Sequence, residues 1–160
     1  MKLGLLWVGR TRDRHVDAVI RDYVGRIERY VPVSVTAIKE QTATGRHAEE
    51  EARRKEGQRL IEAFPPGHRV VALDQDGQQT TTEQFARLLE GEMNGSSRGM
   101  TFVVGGHLGL ADDVLRRADQ ILSLSRMTFT HEMARLVAVE QIYRALNFLR
   151  GGSYHRPRGE

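Results

Sequence analysis

The sequence predicts an α/β fold, one domain with a mostly parallel sheet and helices on both faces. Three observations carry this reading. Strand-like and helix-like periodicities alternate five times along 160 residues. The candidate strands are short continuous apolar or β-branched runs, the pattern of strands covered on both sides. One of them, Phe102-Val103-Val104, leaves directly into Gly105-Gly106-His107-Leu108-Gly109-Leu110, a strand end where missing Cβ atoms allow close approach to the backbone.

The elements follow in order. Lys2–Val8 is a short apolar strand. Residues 12–30 carry Val16, Val19, Ile20, Tyr23 and Ile27 at helical spacing, and Val33–Ile38 is a β-branched strand after Pro32. Residues 45–64 read as a highly charged helix stopped by Pro65-Pro66-Gly67. A strand over 69–73 then meets an expected turn at Asp74-Gln75-Asp76-Gly77, followed by a helix over 82–93 and a polar loop from Asn94 to Gly99. The strand 100–104, a helix over 111–118, a strand over 120–124 and a last helix over 130–150, closed by Gly151-Gly152, complete the chain.

Composition narrows the function. The chain has no Cys, which excludes a disulfide scaffold, a thiolate metal site and a cysteine nucleophile. No apolar run is long enough for a membrane span and no signal peptide is visible, so a cytoplasmic protein is expected. Of 24 basic residues only Lys2, Lys39 and Lys55 are lysines. This arginine bias suits RNA, through bidentate phosphate contacts and stacking, and equally reflects a GC-rich genome. There is no P-loop, no Gly-x-Gly-x-x-Gly after the first strand and no Gly-x-Ser-x-Gly elbow. The six histidines lack metal-ligand spacing, so no metal is expected. As a bare pattern, Gly105-Gly106-x-x-Gly109 reads as a tight strand–helix turn or as a ligand loop.

Several segments together carry a resemblance. They are Met1-Lys2-Leu3, Val70-Val71-Ala72-Leu73-Asp74, Val104-Gly105-Gly106 with Gly109-Leu110, Leu122-Ser123-Leu124-Ser125, Met127-Thr128 with His131, Arg135-Leu136, Glu140 to Ala145, and Tyr154-His155-Arg156. In this combination the chain resembles the ribosomal RNA large subunit methyltransferase H family, of the SPOUT class. The resemblance implies a single-domain enzyme with a C-terminal trefoil knot, working as a homodimer. It also implies methyl transfer from S-adenosylmethionine to N3 of a pseudouridine in 23S rRNA within the assembled ribosome. The cofactor contacts it implies fall on Leu73, Gly105 and the run Leu124-Ser125-Arg126-Met127-Thr128-Phe129, with Gly106 beside them. Strand ends of this kind supply an apolar slot for adenine with backbone donors and acceptors around it. The family is commonly polar after the loop histidine, where this chain has Leu108.

The final arm, from Gly151 to Glu160, carries an aromatic ring, an imidazole and two guanidiniums after a glycine pair expected to free it from the helix. Such a set suits stacking on and clamping a nucleotide. With the resemblance, it reads as the substrate-facing tail. N3 methylation requires loss of the N3 proton, so His155 is the candidate base, Arg156 or Arg144 the candidate anion stabiliser, and Tyr154 the stacking ring. Leu136, Val139, Tyr143 and Leu146 share one face of the last helix, expected to serve the core or a dimer seam. The alternative reading is a ribosome-associated RNA-binding protein without enzymatic activity, which leaves the glycine loop and the 124–129 run unexplained.

Overall fold

Alternation along the strands decides what covers each face of the sheet. The computed structural model describes residues 1–154. The chain runs β1 (Lys2–Val8), α1 (Arg14–Ile27), β2 (Val33–Ile38), α2 (Arg46–Glu62), β3 (His68–Gln79), α3 (Thr82–Asn94), β4 (Gly99–Val104), α4 (Asp112–Arg117), β5 (Gln120–Ser123) and α5 (His131–Leu149). The strands form one parallel sheet in the order β2-β1-β4-β3-β5. Leu3, Leu5, Trp7, Met100, Phe102 and Val104 pack on one side with Ile20 and Ile27 of α1, Phe85 and Leu89 of α3, and Val139, Ile142 and Leu146 of α5. Leu6, Val8, Val70, Ala72 and Val103 pack on the other with Leu60 of α2 and Val114 of α4. Neighbouring strand positions thus serve opposite cores, as a period of two requires.

Local chemistry sets the boundaries. Helix α1 starts at Arg14 rather than at 12, because the Asp13 carboxylate accepts from the backbone N–H of His15 and Val16 and caps the first turn. The expected turn at 74–77 is not the end of a strand. Leu73 and Gln78 both stand opposite Leu122, so residues 74–77 arch out as a bulge and β3 resumes its pairing with β5. Gly77 is required there, since a Cβ would lie 2.7 Å from the Leu122 backbone.

Helix α5 returns from the sheet edge to the end of β1. Its Glu132 accepts from the backbone N–H of Asp13 at 3.1 Å. Its Arg135, with 0% of its surface exposed, donates to the Val8 carbonyl and to the Thr11 hydroxyl and lies over the Trp7 ring. The face carrying Leu136, Val139, Tyr143 and Leu146 belongs to the core: Val139 and Leu146 are buried within the chain, and Leu136 and Tyr143 pack on the same cluster. Val139 and Leu146 thus serve the core of the chain itself, while Leu136 and Tyr143 at the margins of that face are only half-buried.

Candidate functional site

A crevice opens where neighbouring strands send their connections to opposite faces. β3 leads to α3 on one side of the sheet, while the adjacent β4 leads to α4 on the other. At their carboxyl ends lies a cavity of about 350 Å³. Of the residues expected to bind cofactor, Leu73, Gly105, Gly106, Leu124, Ser125, Met127, Thr128 and Phe129 line it together. Arg126 does not line it. Asp74, Gln75, Asp76, His107, Leu108, Leu110 and His131 complete most of the wall.

The three glycines have different reasons. A Cβ on Gly105 would sit 2.8 Å from the Gly109 backbone, and one on Gly106 would sit 3.1 Å from the Val8 side chain. Gly105 is therefore demanded by packing and Gly106 is tightly packed against Val8, in a loop closed by a 3.1 Å bond from Gly109 N–H to the Gly106 carbonyl. Gly109 has φ +75 and open space where a Cβ would point, so its backbone conformation favours glycine. The opposite wall is shaped by its own hydroxyls. Ser123 donates to the Ser125 carbonyl at 2.9 Å, the Ser125 hydroxyl accepts from Met127 N–H at 3.0 Å, and Thr128 donates to Gln75 on the β3 bulge at 2.5 Å. Such a lining, with apolar walls, backbone polar groups, two carboxylates and no Lys or Arg among the described residues, fits a flat heteroaromatic ligand bearing positive charge.

Two of the candidate catalytic groups lie elsewhere on the chain. Tyr154 and Arg144 do not line the cavity. The arm is not freed by its glycines as far as Tyr154: Gly151 adopts φ +68, Gly152 N–H bonds to the Asn147 carbonyl at 2.9 Å, and Tyr154 N–H bonds to the Asn147 side chain at 3.0 Å. These contacts fold the chain back on α5 in the manner of a helix cap. The Tyr154 and Tyr23 hydroxyls are 2.8 Å apart, Tyr154 donates to Glu140 at 3.2 Å, and its ring packs edge-on to Tyr143. Burial, the Tyr23 bond and the Glu140 charge push the Tyr154 phenol well above its usual value. Arg144 pairs with Glu140 and lies 4.7 Å above the Tyr154 ring. The pair is half-buried rather than a solvated helix ion pair. His155 and Arg156 lie outside the described residues.

Two buried charges escaped the sequence reading. Glu56 is 1% exposed; one carboxylate oxygen accepts from Gln41 N–H at 2.8 Å and the other has no partner, and burial raises its pKa. Its signal was present in the charged helix, since Ala52, Gly57 and Leu60 surround it at helical spacing. Arg135 stands among the residues of the resemblance, but its burial depends on β1 and Trp7, far away in sequence. At the cavity edge, burial and the nearby Arg135 charge lower the His131 pKa. On the other side, Glu40 accepts from Arg12 at 2.7 Å and pairs with His107 at 3.0 Å, tying three loops together. Among the described residues no group of three or more His, Cys, Asp or Glu could hold a metal ion, and no helix is long and apolar enough to cross a membrane.

The fold and crevice are those of a SPOUT-class methyltransferase. A family model described as "Predicted SPOUT methyltransferase" matches residues 1–155. The chain belongs to the ribosomal RNA large subunit methyltransferase H family within that class. It is 43% identical over 155 residues to the protein of that name from Syntrophotalea carbinolica, covering 97% of this chain and 99% of the relative. It is 42% identical over 156 residues to that from Trichlorobacter lovleyi, at the same coverage. The Bacteroides thetaiotaomicron protein is 38% identical over 155 residues, again at 97% and 99%.

Proposed function

We propose that residues 1–160 form one SPOUT domain that methylates N3 of a pseudouridine in 23S rRNA on the assembled ribosome, using S-adenosylmethionine, in the cytoplasm and as a homodimer. The observation that carries the reading is the meeting of Leu73, Gly105, Gly106 and most of the 124–129 run at one cavity, in a chain of this family. Leu73, Leu110, Leu124 and Ala134 would hold an adenosyl group between apolar walls, with the loop backbone supplying donors and acceptors. The cofactor supplies a methyl group on a sulfonium, a leaving group already activated by its charge, so no metal is needed. Bound there, it would supply the methyl group to N3 and keep the bond's electron pair on sulfur, so that the N3 proton would have to leave.

In this reading His155 takes that proton, while Arg156 or Arg144 stabilises the N3 anion. Arg144 is oriented for such a role by Glu140 and Tyr154. Tyr154 and Arg144 stand away from the cofactor cavity of their own chain, which supports a homodimer in which the tail of one protomer completes the pocket of the other. The return of α5 across the end of β1, fastened by Glu132 and Arg135, is compatible with the C-terminal trefoil knot of the class. Incubating the protein with methyl-labelled S-adenosylmethionine and ribosomes that lack the modification tests the proposal. Label should enter 23S rRNA at one pseudouridine. Tight ribosome binding with no transfer would instead favour the non-enzymatic RNA-binding reading.

A further inference from the structure

We infer that Asp74 and Asp76 make the cavity select the cationic methyl donor over the neutral thioether left after transfer; the inference rests on the cofactor reading above. Both residues line the cavity. The chain contains 24 Lys and Arg residues, yet none lines this cavity among the described residues. Of the two histidines on the wall, His131 is held toward its neutral form by burial and by Arg135, and His107 is paired with Glu40. The formal charge that the described wall of this chain turns to a ligand is therefore negative.

The carboxylates are fixed by the backbone that carries them. Gly77 presses against β5, Asp74 accepts from Asp76 N–H at 3.0 Å, and Gln75 accepts from Thr128 across the rim. The β3 bulge thus presents two acids to the cavity instead of continuing the sheet. S-adenosylmethionine carries one more positive charge than S-adenosylhomocysteine, because transfer turns the sulfonium into a thioether. Apolar walls hold the adenosyl part of both alike. Fixed carboxylates attract the donor's sulfonium charge, which the product lacks, while both ligands keep the same ammonium and carboxylate. The same acids then favour loading before the reaction and release after it. Half-buried Asp74 is less screened than exposed Asp76, so its share is larger.

Calorimetric titration of the full-length protein with each ligand tests this. In Asp74→Asn the side-chain oxygen can still accept from Asp76 N–H, while the charge is gone. Donor affinity should fall about tenfold and product affinity by less than about twofold. Asp76→Asn should show the same asymmetry to a smaller degree. Equal losses for both ligands, or no loss for either, would overturn the inference. Should Asp74→Asn fail to fold, the unaltered protein decides: raising salt from about 0.05 to about 0.5 M should weaken donor binding more than product binding. Parallel salt responses would overturn it. Unaltered protein that binds neither ligand would remove the cofactor reading itself, an outcome distinct from loss of selectivity alone.

Discussion

The glycine-loop cavity and the tyrosine cluster at the end of α5 are built on opposite plans. The cavity is shaped mainly by backbone, with Gly105 and Gly106 packed into the protein and the hydroxyls of Ser123, Ser125 and Thr128 turned to their own loop and rim. Its interior polar surface is left over for a ligand. The cluster is built by side chains that satisfy one another: Tyr23, Tyr154, Glu140 and Arg144 form a closed set of hydrogen bonds, with Tyr143 packed against it. A backbone-built site is ready to bind and intolerant of added atoms, whereas a side-chain-built cluster holds its own members in place and tolerates loss of one bond. Substitutions should therefore be severe in the first region and graded in the second.

The largest effect is expected at Gly105. In Gly105→Val the branched side chain would enter the space of the Gly109–Leu110 backbone, which cannot move without breaking the loop. Cofactor binding should be lost in calorimetry, and thermal denaturation should show a stability loss of about 3 kcal/mol or more. Full stability with full binding would show that the loop is not backbone-limited and would erase the contrast. Gly109→Ala sharpens it. Space is open there, so only the left-handed backbone is strained, and a smaller loss of about 1 kcal/mol is expected.

At the tail, His155→Ala should lower the methylation rate on the order of a hundredfold, with partial recovery at high pH where N3 ionises unaided. Cofactor affinity should hold within about twofold if the tail acts on the substrate and not on the donor. A normal rate and pH profile would remove His155 from the proton transfer and leave the tail as an RNA clamp.

The contrast also explains how much of the molecule was legible in the sequence. Strands and helices were readable because their apolar periods are local, whereas the glycine loop, as a bare pattern equally a tight turn, was singled out by the resemblance. The β3 bulge was not readable, since Asp74-Gln75-Asp76-Gly77 has the composition of a turn and only the pairing of the flanking Leu73, Gln78 and Gln79 with Leu122 and Ser123 continues the strand past it. Arg126 falls within a contiguous run whose other members line the cavity, but does not line it itself. The docked start of the tail was hidden because its partners, Tyr23 and Asn147, come from different helices. Periodicity also marked Val139 and Leu146 as apolar without saying whether this chain or a second copy covers them.

Within the cluster, Tyr154→Phe removes the hydroxyl that joins Tyr23 and Glu140 while Arg144 keeps its pairing with Glu140. Stability should fall by about 1–2 kcal/mol in urea denaturation, and cofactor binding should not change. A loss of cofactor affinity as large as that of Gly105→Val would mean that the two regions are one site within a single chain.

The smallest effect is expected at Glu56, which lies beneath the glycine loop: a Cβ on Gly106 would come 3.9 Å from its unpartnered oxygen. Burial raises the folded-state pKa of this carboxyl above the usual 4.5, so the native protein prefers the protonated form more than the unfolded chain does. The sign follows from linkage. Stability from this group is fully present below the unfolded value and is lost as pH rises through the raised folded one, because folding must then retain a proton or bury an uncompensated charge. Glu56→Gln keeps an acceptor for Gln41 N–H and cannot ionise. The variant should match the parent protein near pH 4 and become more stable by about 1 kcal/mol at pH 7–8, with the gain appearing across the interval between the two values. Denaturation at a series of pH values measures it. A stability difference independent of pH would show that Glu56 is solvated or paired in the folded protein, and that the underside of the loop is less dry than its packing indicates.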